Sequence, residues 1–168
     1  MLRQTVHFLD ALNGFVTKAD MWLIVPLVGI MLYDVILRYV FNAPTLWGVE
    51  LSTMIFGLYM IFAGPCSVME KVQVGVDIFS SRWSPRTRAA VHCFTYGLTA
   101  LLFASLIYTS YVYALESWEI REVSSSAWGQ PVYHWKALIP AAFILMLLQT
   151  FADFLRNLWH AATGKEME

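Results

Sequence analysis

Four long apolar stretches constrain the fold of this 168-residue chain more than any other feature of its sequence. They extend over residues 21–41, 46–69, 89–115 and 135–155. A helix needs about 20 mostly apolar residues to cross the hydrocarbon core of a bilayer. None of the stretches shows the alternation of short segments that membrane β-barrels require. We therefore predict helices, in which every backbone polar group is satisfied within the segment, as the spanning form.

The composition supports the same class of protein. Hydrophobic residues make up 58% of the chain and charged residues only 14%, whereas soluble domains are about 25% charged. The aromatic content of 15% is typical of proteins with two water–lipid interfaces. A net charge of −1 provides no basic field for nucleic acid. We predict an all-α integral membrane protein that forms one four-helix domain over residues 1–168 and has the lipid bilayer as its solvent.

The segment before the first apolar stretch has a helical pattern of its own. His7, Asp10 and Asn13 interrupt what would be the apolar region of a signal peptide, so we do not predict a cleaved leader. We predict instead an amphipathic helix over residues 2–18 that lies at the membrane surface. Its apolar residues recur every three or four positions on one helical face: Leu2, Val6, Leu9, Leu12 and Val16.

The loop between the second and third stretches suggests a further interfacial helix. Val76, Phe79 and Trp83 share one helical face, which would rest on the inner leaflet. Residues 72–78 also alternate with period two, which favours an extended start. Ser84 followed by Pro85 then reads as an N-cap with proline at the first helical position, opening the third span.

The basic residues predict the orientation of the chain. Eight of the eleven Lys and Arg residues lie in the N-terminal segment, in the second loop, or near the C-terminus with its tail over residues 159–168. The other three, Arg38, Arg121 and Lys136, lie on the opposite side. Cytoplasmic loops carry the excess of Lys and Arg in membrane proteins. Both termini are therefore predicted to be cytoplasmic.

The stretch RYVFNAPTLWGVELS, residues 38–52, contains the most informative charged residues. Asp34 and Arg38 are four residues apart and share a helical face, which makes them an ion-pair candidate. Glu50 begins the second span and lies near Arg38 if the turn at residues 42–44 folds the two helices antiparallel. Ionisable residues in a membrane are costly and need a partner or a purpose. Two interpretations stay open: a polar cluster that ties spans one and two together, or a proton or substrate site.

Other chemical signals are weak. The positions of Cys66 and Cys93 match neither a disulfide framework nor a metal-binding knuckle. No nucleophile elbow or phosphate loop is present in the sequence. Haem ligation would need histidines that meet at one depth, but the histidines lie near span ends or outside spans: His7, His92, His134 and His160. We predict no enzyme activity, no cofactor and no metal.

Three segments, in order along the chain, resemble the small membrane subunit of TRAP transporters, the DctQ-like family. They are RYVFNAPTLWGVELS, GPCSVMEKVQVGVDIF and PVYHWKALIPAAFILMLLQTFADFLRNL. That family has an Arg-Tyr near the end of span one and a Trp-x-x-Glu at the start of span two. Further family elements are a glycine late in span two and a Lys-x-x-x-Pro with a glutamine in span four. The matching residues are Arg38, Tyr39, Trp47, Glu50, Gly64, Lys136, Pro140 and Gln149.

The resemblance implies a tripartite, ATP-independent uptake system in the inner membrane of a bacterium. A periplasmic solute-binding protein would capture an organic acid, and a large permease subunit would carry it inward on a sodium gradient. The chain resembles the small subunit, which scaffolds the large one and contributes to docking of the binding protein. Under this hypothesis five residues have structural or interface roles: Asp34, Arg38, Trp47, Glu50 and Lys136.

Two other classes of function stay open at the level of sequence. The main alternative is a self-contained four-helix transporter that acts as a dimer and couples to protons through Glu50. A haem or quinone membrane anchor is the third class. Copurifying partners would support the scaffold, uptake by this chain alone would support the transporter, and a coloured cofactor would support the anchor.

Overall fold

The computed structural model describes residues 2–69 and 85–163, and these residues form four long helices. Each helix contains a stretch that is long and apolar enough to cross a membrane, so the predicted all-α architecture with four spans is confirmed. The predicted interfacial helix of the second loop falls largely in residues 70–84, outside the described residues, as does the end of the C-terminal tail. The helices are α1 (Leu2–Tyr39), α2 (Gly48–Met69), α3 (Pro85–Glu119) and α4 (Tyr133–Thr163).

The N-terminal part of the chain differs from the prediction. We expected a separate amphipathic helix over residues 2–18, followed by a span, but α1 continues without a break from Leu2 to Tyr39. The polar residues of this segment do not all face away from the protein, because Asn13 is fully buried and contacts α4. The residues around position 18 contain no helix breaker, and the proline inside α1 is Pro26. The helical pattern therefore runs directly into the span.

The third helix begins as its sequence predicts. Pro85 occupies the first position of α3, where the missing amide hydrogen of proline removes no intrahelical hydrogen bond. The predicted spans 46–69 and 135–155 correspond to α2 and α4, but α4 extends eight residues farther at its C-terminal end. Helix termini that reach beyond the apolar stretch place charged residues outside the hydrocarbon core.

Helix α4 organises the packing of the other helices. It contacts α1, α2 and α3, whereas α3 packs chiefly against α4. Helices α1, α2 and α4 therefore all contact one another, and α3 joins this group chiefly through α4. One apolar cluster joins the first turns of α1 to the C-terminal half of α4: Val6, Leu9, Leu148, Ala152 and Leu155.

Helices α2 and α4 approach each other closely at Gly64. A Cβ atom added to Gly64 would overlap the terminal methyl group of Met146. The neighbouring Pro65 and Ala142 are fully buried. Small residues at helix contacts are typical of membrane proteins, where close packing replaces the hydrophobic effect as the force between helices.

Large apolar side chains cover the outer surface of the described helices. Trp22 is 74% exposed on α1, and Phe94 is 73% exposed on α3. Such surfaces would be interaction patches or liabilities in a soluble monomer. On a multi-pass membrane protein they face lipid or another membrane subunit.

Candidate functional site

A buried carboxylate, Asp34, joins the end of α1 to the connection before α2. It is 6% exposed and accepts a hydrogen bond from Arg38 Nη2 at 2.7 Å, one turn later on α1. It also accepts from the Thr45 backbone amide at 3.1 Å and from the Thr45 hydroxyl. We call Asp34, Arg38, Thr45 and Gly48 the hairpin cluster.

Thr45 also caps the next helix. Its hydroxyl oxygen accepts a hydrogen bond from the Gly48 amide at 3.0 Å, as an N-cap side chain does in the first turn of a helix. Gly48 is required at this place, because a Cβ atom there would overlap Thr45 Oγ1 and lie 3.0 Å from the Asp34 Cβ. One threonine thus links the carboxylate of α1 to the first turn of α2.

The turn between the two helices is fixed by its backbone and by an aromatic pair. Asn42 has a φ of 52°, a left-handed conformation that asparagine tolerates better than most residues. The Ala43 amide donates to the Leu37 carbonyl at 3.0 Å. Tyr33 and Trp47 stack with ring centroids 6.0 Å apart. The predicted site residue Trp47 therefore packs across the hairpin against α1.

Glu50 does not pair with Arg38. Arg38 binds Asp34, and Glu50 Oε2 accepts a hydrogen bond from the Ser126 hydroxyl in the connection between α3 and α4. Glu50 therefore joins the start of α2 to a connection that lies 76 residues away in the sequence.

The connection over residues 120–132 begins with a left-handed residue. Arg121 has a φ of 50°, its amide donates to the Trp118 carbonyl, and the Glu122 amide donates to the Ser117 carbonyl. This pair of bonds is the Schellman arrangement, in which glycine is the usual residue at the left-handed position. The Arg121 guanidinium lies 6.0 Å from the centroid of the Tyr133 ring.

The rest of this connection forms a short hairpin that leads into α4. The Val132 amide donates to the Glu122 carbonyl at 3.0 Å, and the Ser124 amide donates to the Gln130 carbonyl at 2.7 Å. The Lys136 ammonium of α4 binds the Glu122 carboxylate. This bond is the main cause that lowers the pKa of the Glu122 carboxyl. The predicted site residue Lys136 thus fastens the connection to the first turn of α4.

A second polar cluster, the α1–α4 cluster, joins the other end of α1 to α4. The Asn13 amide donates to Gln149 Oε1 at 2.6 Å, and both residues are fully buried. The Gln149 amide donates to Asp10 Oδ1 at 3.2 Å. Arg156 binds the carboxylates of Asp10 and Asp153, the latter at 2.9 Å.

Sequence reasoning named five site residues and missed most of their partners. Thr45 could have been identified from the sequence, since it stands immediately before the predicted span 46–69, where an N-cap residue is expected. Nothing in the sequence indicated the hydrogen bond of Ser126 or the ion pair of Glu122, because both depend on how the connection over residues 120–132 folds. The α1 residues of the α1–α4 cluster had a periodic signal, since Asp10 and Asn13 are three residues apart and Thr17 and Asp20 continue the same spacing.

These clusters can hold helices in register, and their chemistry is that of hydrogen bonds and ion pairs. Within residues 2–69 and 85–163, no group of three or more His, Cys, Asp or Glu side chains is arranged to hold a metal ion. Cys66 has a free thiol at intermediate burial in α2.

Comparison with known families identifies a match over most of the chain. A sequence model of the family described as "Tripartite ATP-independent periplasmic transporters, DctQ component" matches residues 27–159, well over half of the chain. No curated protein matches the chain. The matched region includes the hairpin cluster and the connection over residues 120–132, but it begins after Asp10, Asn13, Thr17 and Asp20.

Proposed function

The chain belongs to the DctQ component family of tripartite ATP-independent periplasmic transporters, and on that premise we propose that it scaffolds the large permease subunit of such a transporter. It is a multi-pass membrane protein and a transporter component. In the proposed complex it takes no part in chemistry and does not bind the transported solute.

The proposed complex has three components. A periplasmic solute-binding protein delivers an organic acid, the large permease carries it inward on a sodium gradient, and this chain supports both partners from the bacterial inner membrane. The excess of Lys and Arg at the termini and in the second loop favours a cytoplasmic position for both termini. The connections over residues 40–47 and 120–132 then face the periplasm.

The observation that carries the scaffold role is the set of polar contacts among these two connections. The Asp34 carboxylate accepts a hydrogen bond from the Thr45 amide, and the Glu50 carboxylate accepts one from the Ser126 hydroxyl. Lys136 forms an ion pair with Glu122. Together they tie α1, α2 and α4 to both connections at one end of the molecule. A binding protein that docks there would meet a surface with a fixed shape, which lowers the entropic cost of association.

The roles proposed for the predicted site residues follow from these contacts. Asp34 and Arg38 stabilise the hairpin, and Trp47 packs it against α1. Glu50 and Lys136 position the connection between α3 and α4. The alternative of a dimeric proton-coupled transporter through Glu50 is less favoured, because the matching family is a component of a tripartite transporter and Glu50 lies in the first turn of α2 rather than in the middle of the span.

Co-purification tests the scaffold role. The chain is tagged at its C-terminus, extracted from native membranes in mild detergent, and its bound proteins are identified by mass spectrometry. We expect a large multi-span membrane protein in a stoichiometric amount. A homodimer that carries out uptake without any partner would contradict the proposal.

Substitutions in the same assay test the polar contacts. Glu50→Ala and Arg38→Ala are expected to reduce retention of the solute-binding protein and solute uptake. Glu119→Ala, which removes an exposed carboxylate at the end of α3, serves as the control and should leave both unchanged. Normal assembly and uptake in both Glu50→Ala and Arg38→Ala would show that these contacts have no role in docking.

A further inference from the structure

An open groove separates helices α3 and α4 in the half of their spans that leads to the connection over residues 120–132. It has a volume of about 280 Å³. The residues that line it are three or four positions apart on each helix and so share one face: Leu106, Ser110 and Tyr113 on α3, and Lys136, Ile139 and Phe143 on α4. From positions 106 to 113 and 136 to 143, the groove is about 10 Å long.

The walls of the groove are almost entirely apolar. The two hydroxyl side chains that border it are bonded to their own helix. Thr109 donates to the Ser105 carbonyl at 3.0 Å, and Ser110 donates to the Leu106 carbonyl at 2.6 Å. Hydroxyls that bond back to the helix in this way do not donate to a ligand. A polar solute would lose its hydrogen bonds to water here without replacement, so the groove fits a hydrocarbon.

A cation lies at the end of the groove that is nearer the membrane surface. Lys136 is in the first turn of α4, and its side chain is 34% exposed. Its ammonium group has three N–H donors, and among the described side chains it donates to one acceptor, Glu122. Tyr113 lines the same end, and tyrosine is enriched at the depth of the lipid headgroups. The ammonium group can therefore bind an anionic group at that depth.

The dimensions of the groove exclude a helix as its occupant. Its volume over its length corresponds to a cross-section of roughly 30 Å², whereas a helix about 10 Å in diameter has one of roughly 80 Å². Both walls lie in membrane-spanning segments, where the surrounding molecules are lipids. A single extended hydrocarbon chain is thin enough to enter, and it provides the van der Waals contacts that the walls would otherwise lack.

We propose that this groove binds one acyl chain of a phospholipid, whose phosphate accepts hydrogen bonds from the Lys136 ammonium. Lysine binds phosphate groups as a point charge, and basic pockets between membrane helices bind lipid headgroups. The groove extends over about 10 Å of a leaflet whose hydrocarbon is about 15 Å thick. All of the lining residues belong to this chain, so the proposal does not depend on the scaffold role.

Lipid titration of the purified full-length chain tests this site. The chain is delipidated in detergent and titrated with phosphatidylglycerol, and the bound lipid is counted by native mass spectrometry. We expect one saturable site. Diacylglycerol, which has the acyl chains without the phosphate, should bind about fivefold more weakly. Glycerol 3-phosphate, which has the phosphate without the chains, should not displace the phospholipid.

Two substitutions on α3 test the groove itself. Ser110→Phe places an aromatic ring in the groove and should remove the saturable binding. Ser105→Phe is the matched control, because Ser105 is exposed on the same helix and its hydroxyl also donates to a helix carbonyl. This control should bind phosphatidylglycerol as the unmodified chain does.

Two further substitutions separate the ammonium group from its ion pair. Lys136→Gln and Glu122→Gln both break the bond between these residues, but only the first removes the cation. We expect Lys136→Gln to weaken phosphatidylglycerol binding about fivefold and Glu122→Gln to leave it at least as tight as in the unmodified chain. If Ser110→Phe does not fold by circular dichroism, this comparison decides.

Four results would overturn the proposal. The first is the absence of a saturable phosphatidylglycerol site in the folded chain, and the second is its displacement by glycerol 3-phosphate. The third is an equal effect of Ser110→Phe and Ser105→Phe, which would show that lipid covers α3 without using the groove. The fourth is an equal effect of Lys136→Gln and Glu122→Gln. None of these results would affect co-purification of the unmodified chain with a permease, so the two proposals fail separately.

Discussion

At the scale of single residues, Asp34 shows how a carboxylate is held within a spanning helix. Burial of an unpaired charge is prohibitive, whereas several donors make it tolerable. Asp34 receives the Arg38 guanidinium, the Thr45 amide and the Thr45 hydroxyl. The donors come from its own helix and from the connection, so the carboxylate joins the two.

Gly48 gives a sharp test of this arrangement. Gly48→Ala is expected to destabilise the protein by about 1–2 kcal/mol, because its methyl group would displace the Thr45 hydroxyl from the cap of α2. Gly57, in the same helix, has open space where a Cβ atom would lie. Gly57→Ala should therefore stabilise the protein by about 0.5–1 kcal/mol through lower backbone entropy of the unfolded chain.

Both glycine variants are compared by circular dichroism during thermal unfolding in one detergent. The expected result is opposite shifts of Tm. Equal shifts in the same direction would show that the space around Gly48 does not limit its side chain.

Glu122 predicts a dependence of stability on pH. The Lys136 bond lowers its pKa from the ordinary value of 4.5, so folding favours the ionised form. The contribution of this carboxylate is fully present above pH 4.5 and is lost as pH falls through the lowered pKa. We expect the Tm difference between the unmodified chain and Glu122→Gln to be constant from about pH 7 to about pH 5 and to shrink below that range.

The matched control for this pH series is Glu119→Gln, whose carboxylate is exposed. Its Tm difference from the unmodified chain should not show that decline. A difference for Glu122→Gln that grows on acidification would contradict the predicted sign.

Residue spacing predicted some of these contacts and not others. Asp34 and Arg38 pair as their separation of four residues indicates. The hairpin brings Glu50 to the same end as Arg38, which suggested that the two lie close together, but the partner of Glu50 is Ser126. Local periodicity cannot predict a contact between residues 76 positions apart, because that contact depends on the packing of α2 against the connection between α3 and α4.

At the scale of elements, α3 ends in a Schellman motif whose left-handed position is occupied by an arginine rather than by the usual glycine. A Schellman termination requires a left-handed residue, and this chain uses Arg121 with a φ of 50°. The left-handed conformation costs a non-glycine residue about 1–2 kcal/mol. The contact of Arg121 with the Tyr133 ring offsets part of that cost.

Two substitutions at Arg121 separate these effects. Arg121→Ala removes the contact with Tyr133 and keeps the backbone strain, whereas Arg121→Gly removes both. We expect Arg121→Gly to be more stable than Arg121→Ala by about 1 kcal/mol. Chemical unfolding of the two variants measures this difference directly, and equal stability would mean that residue 121 is not strained.

The start of helix α1 is a boundary that the sequence did not predict correctly. The recurrence of apolar residues on one helical face over positions 2–16 suggested a separate surface helix before the first span. In the structure Asn13 and Asp10 find partners on α4. A pattern in one helix does not reveal a partner on another, so the number of spans was predictable and the start of the first helix was not.

At the scale of the whole molecule, α4 connects the helices, since it contacts α1, α2 and α3. Its contact with α2 depends on Gly64, which leaves room for Met146. Gly64→Leu should separate the two helices and lower stability by about 1–3 kcal/mol, the usual range for overpacking. Gly64→Ala should cost less, since the Met146 side chain is flexible.

A compensating change checks this interpretation. In Gly64→Leu combined with Met146→Ala, the volume added on α2 is removed on α4, so part of the lost stability should return. Thermal unfolding of the single and double variants gives the coupling energy. If the stability changes of the two single variants simply add in the double variant, the loss in Gly64→Leu does not arise from its contact with Met146.

The continuity of α1 has a mechanical consequence. Its 38 residues correspond to a rod about 57 Å long, and a tilt of about 5° would displace one end by about 5 Å relative to the other. Pro26 lacks the amide hydrogen that would stiffen the ladder, so bending is easiest there. The α1–α4 cluster and the hairpin cluster lie on opposite sides of Pro26 along α1. A bend at this proline would therefore change the angle between the two helix ends that these clusters hold.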